Sequence, residues 1–399
     1  MPRVTVSNRA KTSPYSPVRK LFVPATRARQ RGITVYNLNI GEPDLPTPAP
    51  FFSALRKFSP RTVAYAPSAG FPEALEAWQR YYHDTGVRLT TDEMVITSGG
   101  SEAILFAFST VADAGDEIIT FEPLYPNFIT IATIVGVNLV PITLCAQRRF
   151  KLPTASIIER AITRRTKAIL VCNPSNPTGA VLSSREMRLI ADIAHRHGLF
   201  ILADETYREI TFTSPAQSFI NMHSVKDHVI LIDSASKRFN VCGARVGCIA
   251  SHNATIIETA LKFAQARLST PSIEQLAIIP LLRTSRALTK PFVAAYRARI
   301  DAATSALRNI PGVSFVRPAG TFYLMVTLPV DDTEHFCRWL LDSFSYRRST
   351  VLLAPGSGFY LTPDHGSHEV RIACVIEPKK IVRAIEALGH AITEYQKLT

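Results

Sequence analysis

No stretch of this 399-residue chain approaches the roughly 20 consecutive apolar residues that a membrane-crossing helix needs. Met1-Pro2-Arg3 opens no continuous hydrophobic segment of the secretory type, so a cytoplasmic protein with no membrane partner is expected. Its six cysteines, Cys145, Cys172, Cys242, Cys248, Cys337 and Cys374, are scattered. They form no C-x-x-C pair and no cluster with histidine at metal spacing, which argues against a disulfide framework and against a metal site. The Gly-rich turn Ser98-Gly99-Gly100-Ser101-Glu102 is followed by no G-K-[ST] and lacks the G-x-G-x-x-G spacing, so it is neither a Walker loop nor a dinucleotide fingerprint. Acidic residues are outnumbered, with 32 Asp+Glu against 45 Lys+Arg and a net charge of +13. The basic residues are dispersed, apart from short clusters such as Arg27-Ala28-Arg29-Gln30-Arg31. Without interleaved aromatics they suit a solvated face that draws anionic substrates better than a nucleic-acid surface.

A hydrophobic content of 46% excludes a disordered chain, and the length allows one large domain plus a smaller one. Residues before Val35 are basic and interrupted by Pro14, Pro17 and Pro24, which suits an extended arm over 1–34 leading into a short helix. From Val35 onward strands and helices alternate. Strands are expected at 35–40, 94–97, 117–121, 138–142, 168–171, 199–203, 229–233 and 246–250, and helices at 71–82, 103–111, 155–162, 183–197 and 256–266. Such alternation predicts an α/β domain over 35–290, with a mostly parallel sheet between helices. A smaller α+β domain over 291–399 follows. It opens on a helix from Pro291 to Leu307 and closes on one from Pro378 to Tyr395, and the arm is expected to pack with it.

The chemistry-bearing residues fall at the ends of the expected strands. Ser234-Ala235-Ser236-Lys237 follows the apolar run 229–233, with Arg245 eight residues on. A lysine at a strand end can be desolvated enough to attack a carbonyl, and two hydroxyls beside a guanidinium suit a phosphate. The set suggests a Schiff base to pyridoxal phosphate, although S-x-S-K alone reads more readily as a surface turn. The turn at 98–102 would present free N–H groups at a helix N-terminus, a second phosphate-binding element. Asp204 ends the run 199–203, where it is either a helix cap or the partner of a cation such as a protonated pyridine nitrogen. Arg371 lies inside an apolar strand, as half of a structural ion pair or as a clamp on a substrate carboxylate. Tyr65 stands on a loop where its hydroxyl can meet an anion or its ring can pack on a core edge.

In order along the chain, Gly41-Glu42-Pro43-Asp44, Ser98 to Glu102, Asn176-Pro177-Thr178-Gly179, Asp204 to Tyr207, Ser234 to Lys237 with Arg245, and Arg371 together resemble the fold-type I, class I/II aminotransferases. The aspartate aminotransferase-like branch is the most similar. The resemblance implies a seven-stranded, mostly parallel sheet and pyridoxal 5'-phosphate as cofactor. It implies that Lys237 holds the cofactor covalently and shuttles the substrate proton, that Asp204 pairs with the pyridinium nitrogen, and that Asn176 and Tyr207 bond the phenolic oxygen. Gly100, Ser101, Ser234, Ser236 and Arg245 would bind the phosphate, with Tyr65 reaching it from a partner subunit of a homodimer. Tyr125 would stack on the ring. Arg371 would clamp the substrate α-carboxylate, helped by Asn176 and the Gly41 backbone.

The expected reaction is amino-group exchange between an amino acid, aspartate or glutamate, and a 2-oxo acid such as 2-oxoglutarate. A lyase of the same fold and an aminotransferase for aromatic or other amino acids remain alternatives. Arg267 and Arg19 are the candidates for the distal carboxylate of an acidic substrate. A ligand-sensing regulator would need a DNA-binding domain, for which the arm before Val35 has no room.

Overall fold

The computed structural model describes residues 4–398; the first three residues of the arm and the last of the small domain lie outside the described residues. Thirteen strands are formed among the described residues: β1 Thr34–Asn37, β2 Met94–Thr97, β3 Glu117–Glu122, β4 Asn138–Thr143, β5 Thr166–Cys172, β6 Phe200–Asp204, β7 Val229–Ser234, β8 Gly247–Ala250, β9 Ser314–Phe315, β10 Tyr323–Thr327, β11 Ser349–Leu352, β12 Ala354–Pro355 and β13 Glu369–Ala373. Seven of them form the expected sheet in the order β2-β8-β7-β6-β5-β3-β4, with only β8 running antiparallel to its neighbours.

The sheet is buried on both faces, which is why its strands read as continuous apolar runs. In β7, Val229 and Leu231 pack on one side, while Ile230 and Ile232 enter the separate core on the other. One covering helix, Ser184–His197, shows how local chemistry sets its ends. Ser183 and Glu186 form a reciprocal capping box, Met187, Ile190, Ala191 and Ala194 face the core, and Gly198 closes the helix at φ 63°.

The smaller unit has its own core around the antiparallel sheet β12-β13-β10-β9 and the helix Pro378–Tyr395, which packs on the long helix Ser285–Leu307. The pairing of β1 bears on how the arm and the smaller unit meet. β1, expected to open the large domain, pairs in parallel with β11, Thr34 opposite Ser349 through Asn37 opposite Leu352. The arm helix Phe22–Gln30 packs on the helix Thr333–Asp342. The alternating pattern of residues 35–40 specifies a strand but not its partner, and the partner lies more than 300 residues downstream.

Two further differences concern helices. The helix expected from Pro291 begins six residues earlier, at Ser285, and carries Pro291 inside it. The helix Ser272–Arg283, not among the expected helices, starts after Pro271 and carries Pro280 inside it, and packs on the helices Ala49–Lys57 and Pro72–Asp84.

Candidate active site

The C-terminal ends of β5, β6 and β7 open onto one cavity, the place where parallel α/β sheets bind ligands. Gly100, Ser101, Tyr125, Asn176, Asp204, Tyr207, Ser234, Ser236, Lys237 and Arg245 all line it, brought together from five segments of chain. Lys237 sits on the first turn after β7. Its Nζ donates to the Gly41 carbonyl at 2.8 Å and approaches Cys242 Sγ at 3.5 Å. Gly41 must be glycine, because a Cβ there would lie 1.8 Å from the Tyr323 hydroxyl.

One end of the cavity is built for an anion. Ser234 and Ser236 place their hydroxyls 2.8 Å apart. The helix Gly100–Val111 begins there with no side chain capping its N-terminus. Arg245, itself at φ 53°, donates to the Cys242 and Ser98 carbonyls, and a Cβ on Gly99 would come within 2.4 Å of its Nη2. Uncapped N–H groups, hydroxyls and a guanidinium form the donor set that a phosphate takes.

The other end carries Asp204, which is 5% exposed and is bonded to the Thr206 backbone N–H at 3.1 Å, with no cationic partner among the described residues. Burial raises its pKa to about 6. A buried carboxylate facing the cavity without a counter-charge fits a ring nitrogen that carries a proton. A phosphate cradle, a nucleophilic lysine and this carboxylate therefore fit pyridoxal phosphate along its length.

Asp204 also makes a measurable prediction. A carboxyl group whose folded pKa lies above its unfolded value destabilises the native state as pH rises through the window between the two. Cofactor-free protein should therefore lose stability between about pH 4 and 6, by at most about 3 kcal/mol from this group. Denaturant titrations of Asp204→Asn should show a smaller decline over the same window; equal pH slopes for both proteins would contradict the burial of an unpaired charge here.

The substrate side of the site is organised by Arg371, which is 3% exposed. Its Nη1 donates to Asn176 Oδ1 at 3.0 Å, its Nη2 to the Asn39 carbonyl, and its Nε has no partner. Its guanidinium lies over the rings of Tyr323 and Phe359, at 4.3 and 4.9 Å from their centroids. All its acceptors are neutral, and burial lowers its pKa. Of its two readings from sequence, an internal ion pair is absent among the described residues, and a buried cation with neutral neighbours accommodates an external carboxylate.

Three expected residues lie elsewhere. Arg267 is committed inside the protein: its Nε pairs with Glu102 Oε2 at 3.1 Å, and its Nη2 donates to the carbonyls of Ile96 and Ser68. Glu102 also accepts from the Ser98 N–H at 2.8 Å, so Arg267 braces the glycine-rich turn and does not reach the cavity as a distal-carboxylate ligand. Arg19 is exposed on the arm and does not line the cavity. The adjacent Val18 carbonyl accepts from Asn39 Nδ2, which keeps the arm beside the Arg371 surroundings. Tyr65 is 78% exposed and outside the cavity.

Sequence reasoning passed over Tyr323, whose hydroxyl lies 3.1 Å from that of Tyr207, and Cys242 beside Lys237. It also passed over the pair beneath the lysine. Asp233 Oδ1 accepts from the Ser234 N–H at 2.7 Å and from Arg238 Nη2, and its Oδ2 accepts from the Tyr82 hydroxyl at 3.1 Å. The residues flanking the S-x-S-K run thus tie both ends of that turn to one buried carboxylate. A charged residue on each side of the motif was the available signal.

This geometry defines a pyridoxal-phosphate enzyme of fold type I. The family described as aminotransferase class I and II matches residues 33–388, so the chain belongs to that family, which is pyridoxal-phosphate-dependent. The aspartate/prephenate aminotransferase of Thermus thermophilus is 30% identical over 375 residues, covering 92% of this chain and 94% of the relative. The solved structure of the Thermus thermophilus aspartate aminotransferase with maleate superposes with a TM-score of 0.89 at 27% identity, covering 98% of this chain and all of that one. An alanine aminotransferase from Pyrococcus furiosus matches equally well, with a TM-score of 0.89 at 28% identity over 98% of this chain and all of that one. The protein is a pyridoxal-phosphate-dependent aminotransferase.

Proposed function

We propose that the protein, acting as a cytoplasmic homodimer, exchanges the amino group of an acidic L-amino acid, aspartate or glutamate, with a 2-oxo acid such as 2-oxoglutarate. The observation that carries the amino-acid reading, whether the donor is acidic or neutral, is Arg371, a buried guanidinium bonded only to neutral oxygens and placed beside the lysine-bearing cavity. A substrate α-carboxylate gives it the anionic partner that offsets its desolvation.

In this reading Lys237 would hold the cofactor covalently, and its Nζ would move the proton from the substrate α-carbon. Pyridoxal phosphate supplies the electron-withdrawing ring that lowers the barrier to that proton's removal. Asp204 would keep the ring nitrogen protonated, Asn176 and Tyr207 would bond the phenolic oxygen, and Tyr125 would pack against the ring. Gly100, Ser101, Ser234, Ser236 and Arg245 hold the phosphate. Asn176 also orients Arg371, so a single side chain links the cofactor to the substrate clamp. The exposure of Tyr65 supports the dimer reading, in which its hydroxyl completes the phosphate site of a second copy.

Arg19 is the candidate for the distal carboxylate, because the arm that bears it runs past Asn39. One observation favours a second reading, an amino donor with a neutral side chain: Arg267 is consumed internally, and the cations lining the cavity are Lys237 and Arg245.

A substrate panel separates the two readings. The wild type should prefer aspartate and glutamate over alanine and phenylalanine by about one to two decades in kcat/KM, the worth of one charge-assisted pair. Arg19→Ala should erase that preference. Arg267→Ala should lower stability by about 2 kcal/mol through the unpaired Glu102 while leaving the ratio of acidic to neutral substrates unchanged. A wild-type preference for neutral or aromatic donors would overturn the acidic reading, and a selective loss of acidic substrates in Arg267→Ala would return Arg267 to the pocket.

A further inference from the structure

A second cleft, of about 840 Å³, lies between the large domain and the segment Val316–Ala319 of the small one. That volume falls in the range of sites for nucleotide-sized ligands. Its floor is apolar, with Phe150, Leu152, Val316 and Pro318, and five cations surround it: Arg149, Lys151, Arg185, Arg188 and Arg317. Only Arg317 is neutralised, by Asp301 at 2.5 Å; the other four have no carboxylate within ion-pair distance among the described residues.

Two carboxylates share the lining, Glu186 and Asp192. Glu186 is occupied by the Leu152 N–H at 3.0 Å and by the N–H and hydroxyl of Ser183. Asp192 is exposed, one turn along the helix from Arg188 and two from Arg185, and forms no ion pair with either. Arg185 and Arg188 stand three residues apart on that helix, a spacing at which like charges repel. Arg149 and Phe150 are consecutive non-glycine residues at positive φ, 56° and 54°, an unfavourable backbone that places a cation at the rim and a buried ring beneath it.

We propose that this cleft is a binding site for a nucleoside polyphosphate, its phosphates taken by Arg149, Lys151, Arg185 and Arg188 and its base laid on the apolar floor. Guanidinium forks match phosphate oxygens, and several adjacent negative charges answer several adjacent unpaired cations. The cleft has no lining residue in common with the active-site cavity, but the segment Asn176 to Ala180 runs from one to the other. Thr178 and Ala180 line the cleft, and between them the Gly179 carbonyl accepts the N–H groups of Ala319 and Gly320 at 3.0 and 2.9 Å. Asn176, which holds Arg371, lies three residues before Gly179. A ligand bridging the helix Ser184–His197 and the segment 316–319 therefore fixes the two domains together next to the substrate clamp, and changes the KM of the amino donor.

The proposal does not rest on the choice of amino donor. Its test is calorimetric titration of the holoenzyme with ATP and with pyrophosphate at physiological salt, together with the KM of the best donor at saturating ATP. The double variant Arg185→Ser/Arg188→Ser removes two exposed helix cations, and Lys379→Ser/Arg383→Ser removes two from a distant helix as a control for diffuse charge. Expected are ATP binding by the wild type, a loss of at least ~10-fold in the first variant and less than ~2-fold in the control. Pyrophosphate should bind more weakly than ATP, and the shift in KM should vanish with the first variant only. Absence of binding at millimolar ATP, or equal losses in the two variants, would overturn the site. Pyrophosphate binding as tight as ATP would overturn the nucleotide assignment, and a KM shift that persists in Arg185→Ser/Arg188→Ser would place the effect at the active site instead.

Discussion

Lys237→Ala is expected to reduce transamination by about four orders of magnitude while leaving the fold and noncovalent cofactor binding in place. The size of the loss follows from two roles carried by one atom. Among the described residues the lysine Nζ is the only amine lining the cavity, so in the proposed reaction its removal takes away both the covalent attachment and the base that moves the α-proton. Retention of the fold follows from what surrounds it. Lys237 is half-buried, and its partners are a carbonyl and a thiol. The turn that carries it is held by neighbours: Ser234 and Arg238 both bond Asp233, and Ser234 Oγ accepts from the Ser236 N–H. Steady-state rates with thermal denaturation of the same samples check this, and residual turnover above about one part in a hundred would contradict the proton-transfer role.

Arg371→Leu is expected to lower kcat/KM for every amino acid by about two to three decades, acidic and neutral alike, because all share the α-carboxylate. A charge pair that is desolvated and then broken costs about 3 to 5 kcal/mol. The effect on stability should be small by comparison. The buried guanidinium bonds only neutral groups, so replacing it with an apolar side chain removes an unpaired buried charge while stranding Asn176 Oδ1 and the Asn39 carbonyl. These effects oppose each other, and the unfolding free energy of the cofactor-free protein should change by no more than about 2 kcal/mol. A loss confined to acidic substrates would mean that Arg371 binds the distal group, and a collapse in stability would mean that it is a structural residue.

What was legible in the sequence was whatever is local. The runs 229–233 and 168–171 are buried on both faces and appear as apolar segments, so the central sheet could be read directly. The ligand-facing residues sit at the ends of those runs. Pairings between distant segments could not be read. The pattern of residues 35–40 specifies a strand, yet nothing in it names Ser349–Leu352 as the partner. Arg267 illustrates the same limit at a side chain. As a cation near the end of the helix Ala254–Ala266 it was a reasonable candidate for the substrate, but Glu102 and the Ile96 carbonyl, which claim it, lie more than 160 residues away. Tyr323 was hidden within an apolar strand, and its role depends on the approach of Gly41 and Tyr207, which only the fold creates.

Amino-group transfer at this cavity requires the cofactor to be held by Lys237. Borohydride reduction of the holoenzyme, followed by proteolysis and mass spectrometry, fixes the cofactor to the amine that holds it. One cofactor per chain on the peptide containing Lys237 is the predicted result. Cofactor recovered on any other lysine, or no modified peptide from a fully loaded and active sample, would contradict the assignment of this cavity as the site of amino-group transfer.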